Sequence, residues 1–139
     1  MKPVMQEEPT GCGIAAVAAI AGVSYGRAKR VAGSAGIVAA DPRLWSDHGH
    51  VRRLLSRFGM RSGRSPQPFR SWNALPPCAL LAIKWRLQDG HPSWHWTVYV
   101  ADEHGTYVLD SKRGLKTHVR RDFGRMKPKW FLPVRRSRS

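Results

Sequence analysis

The hydrophobic pattern of the chain changes period near its middle. From Gly11 to Gly22 nearly every position is apolar or small, so no face is polar, and such a segment reads as a helix buried on all sides. Pro9 blocks helix before it, and Thr10 stands where an N-cap would accept from free N–H groups. Ser24 to Ala32 reads as a second short helix, polar on the side of Arg27, Lys29 and Arg30. Gly33 to Arg43 has no period and reads as loop. Trp45 to Phe58 is the clearest amphipathic helix, because Val51, Leu54, Leu55 and Phe58 fall at i, i+3, i+4 and i+7, and Gly59 ends it. Arg61 to Pro77, rich in Ser, Pro and Arg, reads as a long surface connection.

Past Pro77 the helical spacing gives way to runs. Cys78 to Trp85 is apolar without helix caps and reads as a buried strand. His95 to Ala101 is aromatic and β-branched, hence a strand. Asp102-Glu103-His104-Gly105 reads as a turn, Thr106 to Asp110 as the return strand, and Trp130 to Val134 as a last strand interrupted by Pro133. Helices first and an antiparallel sheet second is an α+β order. At 139 residues, the expectation is one domain over residues 1–134 followed by a basic tail, 135–139.

Composition adds the charge. There are 24 Lys and Arg against 9 Asp and Glu, a formal net charge of +15, and the stretch from Lys112 onward is the most basic part. Such a chain is drawn to polyanions, so an acidic substrate or protein partner is expected, and nucleic acid bound through the basic C-terminal region stays open; a solvated basic tail is the plainer reading. Trp72, Trp85, Trp94, Trp96 and Trp130 beside many Arg side chains would suit base stacking, but no nucleic-acid motif accompanies them. The two cysteines, Cys12 and Cys78, are too few for a disulfide scaffold and read as reduced thiols. Glu7 and Glu8 ahead of the apolar Gly11–Val23 run argue against a secretion signal, and the run is too short to span a membrane, so a cytoplasmic protein without a transmembrane segment is expected. Asp47, His48 and His50 lack the further ligands that a metal site needs; no metal or cofactor is expected.

The candidate chemistry centres on Cys12. In the first turn of a buried helix, the dipole and free N–H groups favour a thiolate, and flanking Gly11 and Gly13 would leave room for a substrate carbonyl beside the sulfur. A thiolate nucleophile needs a histidine within reach and a third group to fix that histidine's tautomer. His95 opens one strand and Asp110 closes the next. Hairpin registers that set them opposite or diagonal, with a four-residue turn at Ala101 to His104 or Asp102 to Gly105, put both on one face; a register shifted by one residue separates them. Cys78, in an apolar run with no basic partner at strand spacing, reads as a core thiol.

Gln6, Gly11-Cys12-Gly13-Ile14-Ala15-Ala16, Leu75 to Ile83, His95-Trp96-Thr97-Val98-Tyr99-Val100 and Tyr107-Val108-Leu109-Asp110 follow one another at a spacing that resembles the papain-like peptidases which trim double-glycine leaders from bacteriocin precursors. The resemblance runs from Gln6 to about Asp110. It implies a papain-like α+β fold, with N-terminal helices on a C-terminal antiparallel sheet, and a thiol-dependent peptidase or amide hydrolase acting on a peptide or protein. Cys12 would be the nucleophile, His95 the base and Asp110 the orienter. Gln6, six residues before the nucleophile, would help form the oxyanion hole with the Cys12 backbone N–H. Two departures stand out: Gly11 replaces the acidic residue usual before the nucleophile, and no transporter sequence accompanies the domain. A catalytically silent binding module for an acidic partner or nucleic acid, and an acyltransferase or toxin on the same fold, are the alternatives.

Overall fold

The structure is a computed structural model that describes residues 1–136. Helix α1 spans Cys12–Ala21, and Cys12 to Ala19 are all buried, as the unbroken apolar pattern requires. Gly22 closes it in the left-handed region, φ 72°, with its N–H returned to Ala18 and Ala19 carbonyls. Thr10 is not the cap. Gly11 holds that position without a side-chain bond, and the Thr10 hydroxyl donates to the Ala39 carbonyl, tying the start of α1 to the following loop. Helix α2, Tyr25–Ser34, is capped by Ser24, whose oxygen accepts from the Arg27 N–H at 3.1 Å.

The third helix begins later than its periodicity implies. Pro42–Ser46 forms a short 3₁₀ turn, and α3 runs only over Gly49–Arg57. The break is made by Asp47, whose carboxylate takes the N–H groups of Gly49 at 3.1 Å and His50 at 2.8 Å. Val51, Leu54 and Leu55 are fully buried against α1 and the sheet.

Seven strands follow: β1 Met60–Ser62, β2 Gln67–Pro68, β3 Cys78–Gln88, β4 His91–Asp102, β5 Gly105–Leu109, β6 Val119–Arg120 and β7 Trp130–Arg136. A short helix, α4 Phe123–Met126, precedes β7. The order across the sheet is β1-β7-β3-β4-β5-β6, with β2 also on β7, and every pairing is antiparallel. Three expectations change here. The Arg61–Pro77 connection contributes two short strands and a 3₁₀ turn, Trp72–Ala74. β3 and β4 extend beyond Trp85 and before His95 into a long hairpin closed by Asp89 and Gly90, both at positive φ, the conformation an Asp-Gly pair favours. β7 runs through Pro133, which falls between the short partners β2 and β1. Arg135 and Arg136 of the expected tail belong to that strand; residues 137–139 lie outside the described residues.

The alternation along β3 and β4 divides the core. Leu80, Ala82, Trp96, Val98 and Val100 face the helices, while Ala79, Leu81, Ile83 and Tyr99 pack with Val108, Phe131 and Met126 on the other face, under Trp72 and Phe123. Burial on both faces explains why these strands read as runs instead of alternating. Among the described residues no helix is long and apolar enough to cross a membrane.

Candidate active site

The β4–β5 register decides the site. Val98 faces Leu109 and Asp102 faces Gly105, so by continuation Asp110 stands across from Thr97 and diagonal to His95, on the same face. This is the diagonal register with the Asp102–Gly105 turn. His95 Nε2 and Asp110 Oδ1 lie 2.7 Å apart. Asp110 is 1% exposed and fully engaged: besides His95 it accepts from the Lys112 N–H at 3.0 Å and from Arg120 Nη1 at 2.9 Å. Arg120 comes from β6 by the same diagonal logic, since it pairs with Val108 two residues before Asp110. Its remaining nitrogens hold Asp122. The Asp110 backbone is fixed as well, donating to the His118 carbonyl at 2.9 Å while His118 Nδ1 donates to the Asp110 carbonyl at 2.8 Å.

On the other side of His95 lies Cys12, brought by the first turn of α1. The Trp96 N–H donates to its Sγ at 3.4 Å. Burial disfavours a charged His95, but hydrogen bonds to Asp110 and Cys12 and the charges of both outweigh it, holding the imidazolium up to a pKa of about 9. Asp110 is burdened by desolvation, yet the bonds from His95, Lys112 and Arg120 keep it well below the usual carboxylate range. With Nε2 committed to Asp110, Nδ1 is the nitrogen left for Cys12.

Gln6 is 6% exposed and clamped. Its N–H donates to the Ser111 carbonyl at 3.1 Å, and the Ser111 hydroxyl donates to its Oε1 at 2.8 Å. Both protons of its amide nitrogen are spent inside its own segment, on the carbonyls of Glu8 and Pro9 at 3.0 Å each. That segment is anchored in turn: the Glu8 carboxylate accepts from Tyr25 and Lys29, and the Trp45 indole donates to the Pro9 carbonyl at 3.2 Å. Gln6 to Pro9, Trp45, Trp94 and His95 line a cleft of about 420 Å³. Cys12 is 2% exposed and does not line it.

The two glycines have a different reason from the one expected. A Cβ on Gly11 would collide with the Tyr25 hydroxyl, and one on Gly13 would collide with His50 Nε2 and stand 2.8 Å from Val51 Cγ1. Both are close-packing positions against α2 and α3, not space beside the sulfur. Cys78 is half-buried at the start of β3 and unpaired with Cys12; burial pushes its thiol up to about 11. Asp47 and His50 form a pair, Oδ2 to Nδ1 at 3.0 Å, and among the described residues no group of three or more His, Cys, Asp or Glu gathers to hold a metal ion. Four of the six tryptophans pack edge-on to other aromatic rings: Trp94 against Trp96 and Trp130, and Trp72 against Phe69 and Phe123. Trp96 is fully buried, so these rings build core and the cleft wall. Arg120 and Ser111 had no sequence signal: Arg120 is one of many basic residues after Lys112, and Ser111 is an unremarked neighbour of Asp110.

No protein-family description and no curated protein matches the chain. Among solved structures, the chain superposes on a double glycine motif protease from an AMS/PCAT transporter, determined in complex with the leader peptide, with a TM-score of 0.60 at 16% identity. The match covers 98% of this chain and 91% of the other. The fold of helices α1 to α3 against one large antiparallel sheet is therefore the papain-like α+β fold that the double-glycine protease has.

Proposed function

We propose that the protein is a cysteine peptidase or amide hydrolase acting on a peptide. The observation that carries this reading is the placing of His95 between Cys12 and Asp110, three residues delivered by α1, β4 and the end of β5, on a double-glycine protease fold. The Cys12 sulfur attacks the scissile carbonyl carbon. His95 carries the proton and gives it to the departing amine, leaving a thioester. Water, deprotonated by His95, then attacks the thioester and releases the acid and the thiol. Asp110, itself braced by Arg120, keeps His95 oriented. The oxyanion is met by the Cys12 backbone N–H and by the Gln6 amide, which first gives up one of its bonds to Glu8 or Pro9.

Labelling with a thiol-directed electrophile at neutral pH tests the nucleophile. Cys12→Ala abolishes labelling, and Cys78→Ala, whose thiol is held near 11, leaves it. Labelling that survives in Cys12→Ala overturns the assignment. The 2% exposure of Cys12 and the engaged Gln6 amide favour one other reading, a module that binds a peptide without cutting it. That reading requires the Cys12 thiol to react with the electrophile no faster than a free thiol at neutral pH, with or without peptide.

A further inference from the structure

Beside the His95–Asp110 pair, the sheet carries an unusual arrangement of positive charge. β3 pairs with β4 in regular register up to Ile83 opposite His95, then slips before resuming at Arg86 opposite Ser93. The slip is made at Lys84, a non-glycine residue held at φ 54°, in the left-handed region that L residues adopt at a cost. Strain of this kind persists where the surrounding structure holds it, and it collects at functional sites. Lys84 is thereby turned onto the cleft that His95 lines.

Lys112 reaches the same cleft from the other side of Asp110, its backbone N–H tied to the Asp110 carboxylate at 3.0 Å. The two lysine side chains face each other: burial first, then Lys112 as neighbour and charge, pull the Lys84 ammonium below its usual pKa. Arg86 and Arg113 line the same cleft. Among the described residues the counter-charge is smaller than the set: Asp110 attracts Lys84 but is paired with His95 and Arg120, Glu8 is committed to Tyr25 and Lys29, and Glu7 is the one lining acid outside an ion pair. Four cations in one cleft against one uncommitted carboxylate, with Lys84 held there on a strained bulge, mark a place that an anion completes.

We propose that Lys84 and Lys112, with Arg86 and Arg113 beside them, form a carboxylate-binding subsite next to His95, which takes an acidic side chain or the terminal carboxylate of the peptide lying over Cys12. This rests on the peptidase reading of Cys12 and adds to it the chemistry of the substrate near the scissile bond.

Two small alkylating agents of nearly equal shape read the subsite without a known substrate. On a Cys78→Ala background, the rates at which iodoacetate and iodoacetamide modify Cys12 are measured at low salt. The charge of His95 is common to all variants and cancels in the comparison. Replacing both lysines, Lys84→Gln with Lys112→Gln, is expected to lower the iodoacetate-to-iodoacetamide ratio by about fivefold, and Lys84→Glu to lower it further. A ratio that both variants leave unchanged overturns the subsite. Failure of iodoacetamide to modify Cys12 at all overturns the peptidase reading instead.

The source of the carboxylate is separated by protection. Acetylated Ala/Gly pentapeptides carrying one Glu or one Gln, each as free acid or amide, compete with iodoacetamide for Cys12. Protection favouring the Glu amide over the Gln amide identifies a side chain, and protection favouring the Gln acid identifies the chain terminus. Equal protection by all four overturns the proposal.

Discussion

At the scale of the residue, the most consequential group is Asp110. Its side chain has no exposure, with a His on one side, an Arg on the other and a backbone N–H beneath, so its charge is fully paired. Its effect passes to His95, whose pKa stands at about 9 against an ordinary value of 6.5. A group raised on folding stabilises the fold completely below its unfolded value and loses that contribution as pH climbs through its folded value. The His95 contribution is therefore full below about pH 6.5 and gone above about 9. Under the proposed peptidase function, the same proton sets the alkaline limb of activity. In Asp110→Asn, that limb moves from near 9 toward 6.5 and kcat/KM falls on the order of 10³- to 10⁴-fold, because the imidazole loses both its charge partner and its preferred tautomer. A pH–rate profile for the two proteins checks both effects, and an unmoved limb would remove Asp110 from the role of orienter.

At the scale of the element, packing of α1 against α3 sets where the sulfur lies. Gly13 follows Cys12 directly and is pressed against His50, Val51 and Trp96. His50 is fully buried, held through Nδ1 by Asp47, and cannot swing away without giving up that bond. Gly13→Ala thus gains helix propensity on paper and loses more in overpacking, a net destabilisation of about 1–3 kcal/mol by chemical denaturation. It also displaces Cys12 from His95, so labelling slows in the fraction that remains folded. Element legibility follows the same physics. α1, β3 to β5 and β7 were readable because their apolar runs report burial directly, and α2 because its polar side, Arg27, Lys29 and Arg30, leaves Ala28 and Ala32 on the buried one. The start of α3 was not, because Asp47 ends the 3₁₀ turn through a side-chain bond that leaves the hydrophobic period untouched. β1 and β2 were hidden in a polar stretch, since two- and three-residue strands carry no period. At the site, His95 and Asp110 could be brought together from one register and Cys12 was marked by its place at the head of α1, whereas Arg120 could not be found, because one functional arginine in a basic stretch looks like every other.

At the scale of the whole molecule, charge is the dominant imbalance. Among the described residues, the Lys and Arg side chains in ion pairs are Lys29, Arg43 and Arg120. The net charge of +15 repels itself across a small surface. Screening that repulsion stabilises the compact state, so the thermal midpoint rises as sodium chloride goes from about 20 to about 300 mM, where the Debye length becomes shorter than the spacing of distant charges. A midpoint that falls with salt would mean that the few ion pairs outweigh the repulsion.

The bond between Ser111 and Gln6 joins positions 105 residues apart, and the Trp96 N–H on the Cys12 sulfur spans 84. His95 and Asp110 meet within one hairpin, but the sulfur and Gln6 join them across most of the chain, and the entropy of closing such loops is recovered only when α1 packs on the sheet. The thiol at the head of α1 is consequently an ordinary cysteine in a growing or partly unfolded chain. Under the proposed function its chemistry switches on only when α1 meets the β4–β5 hairpin, so latency before folding is written into the order of the elements.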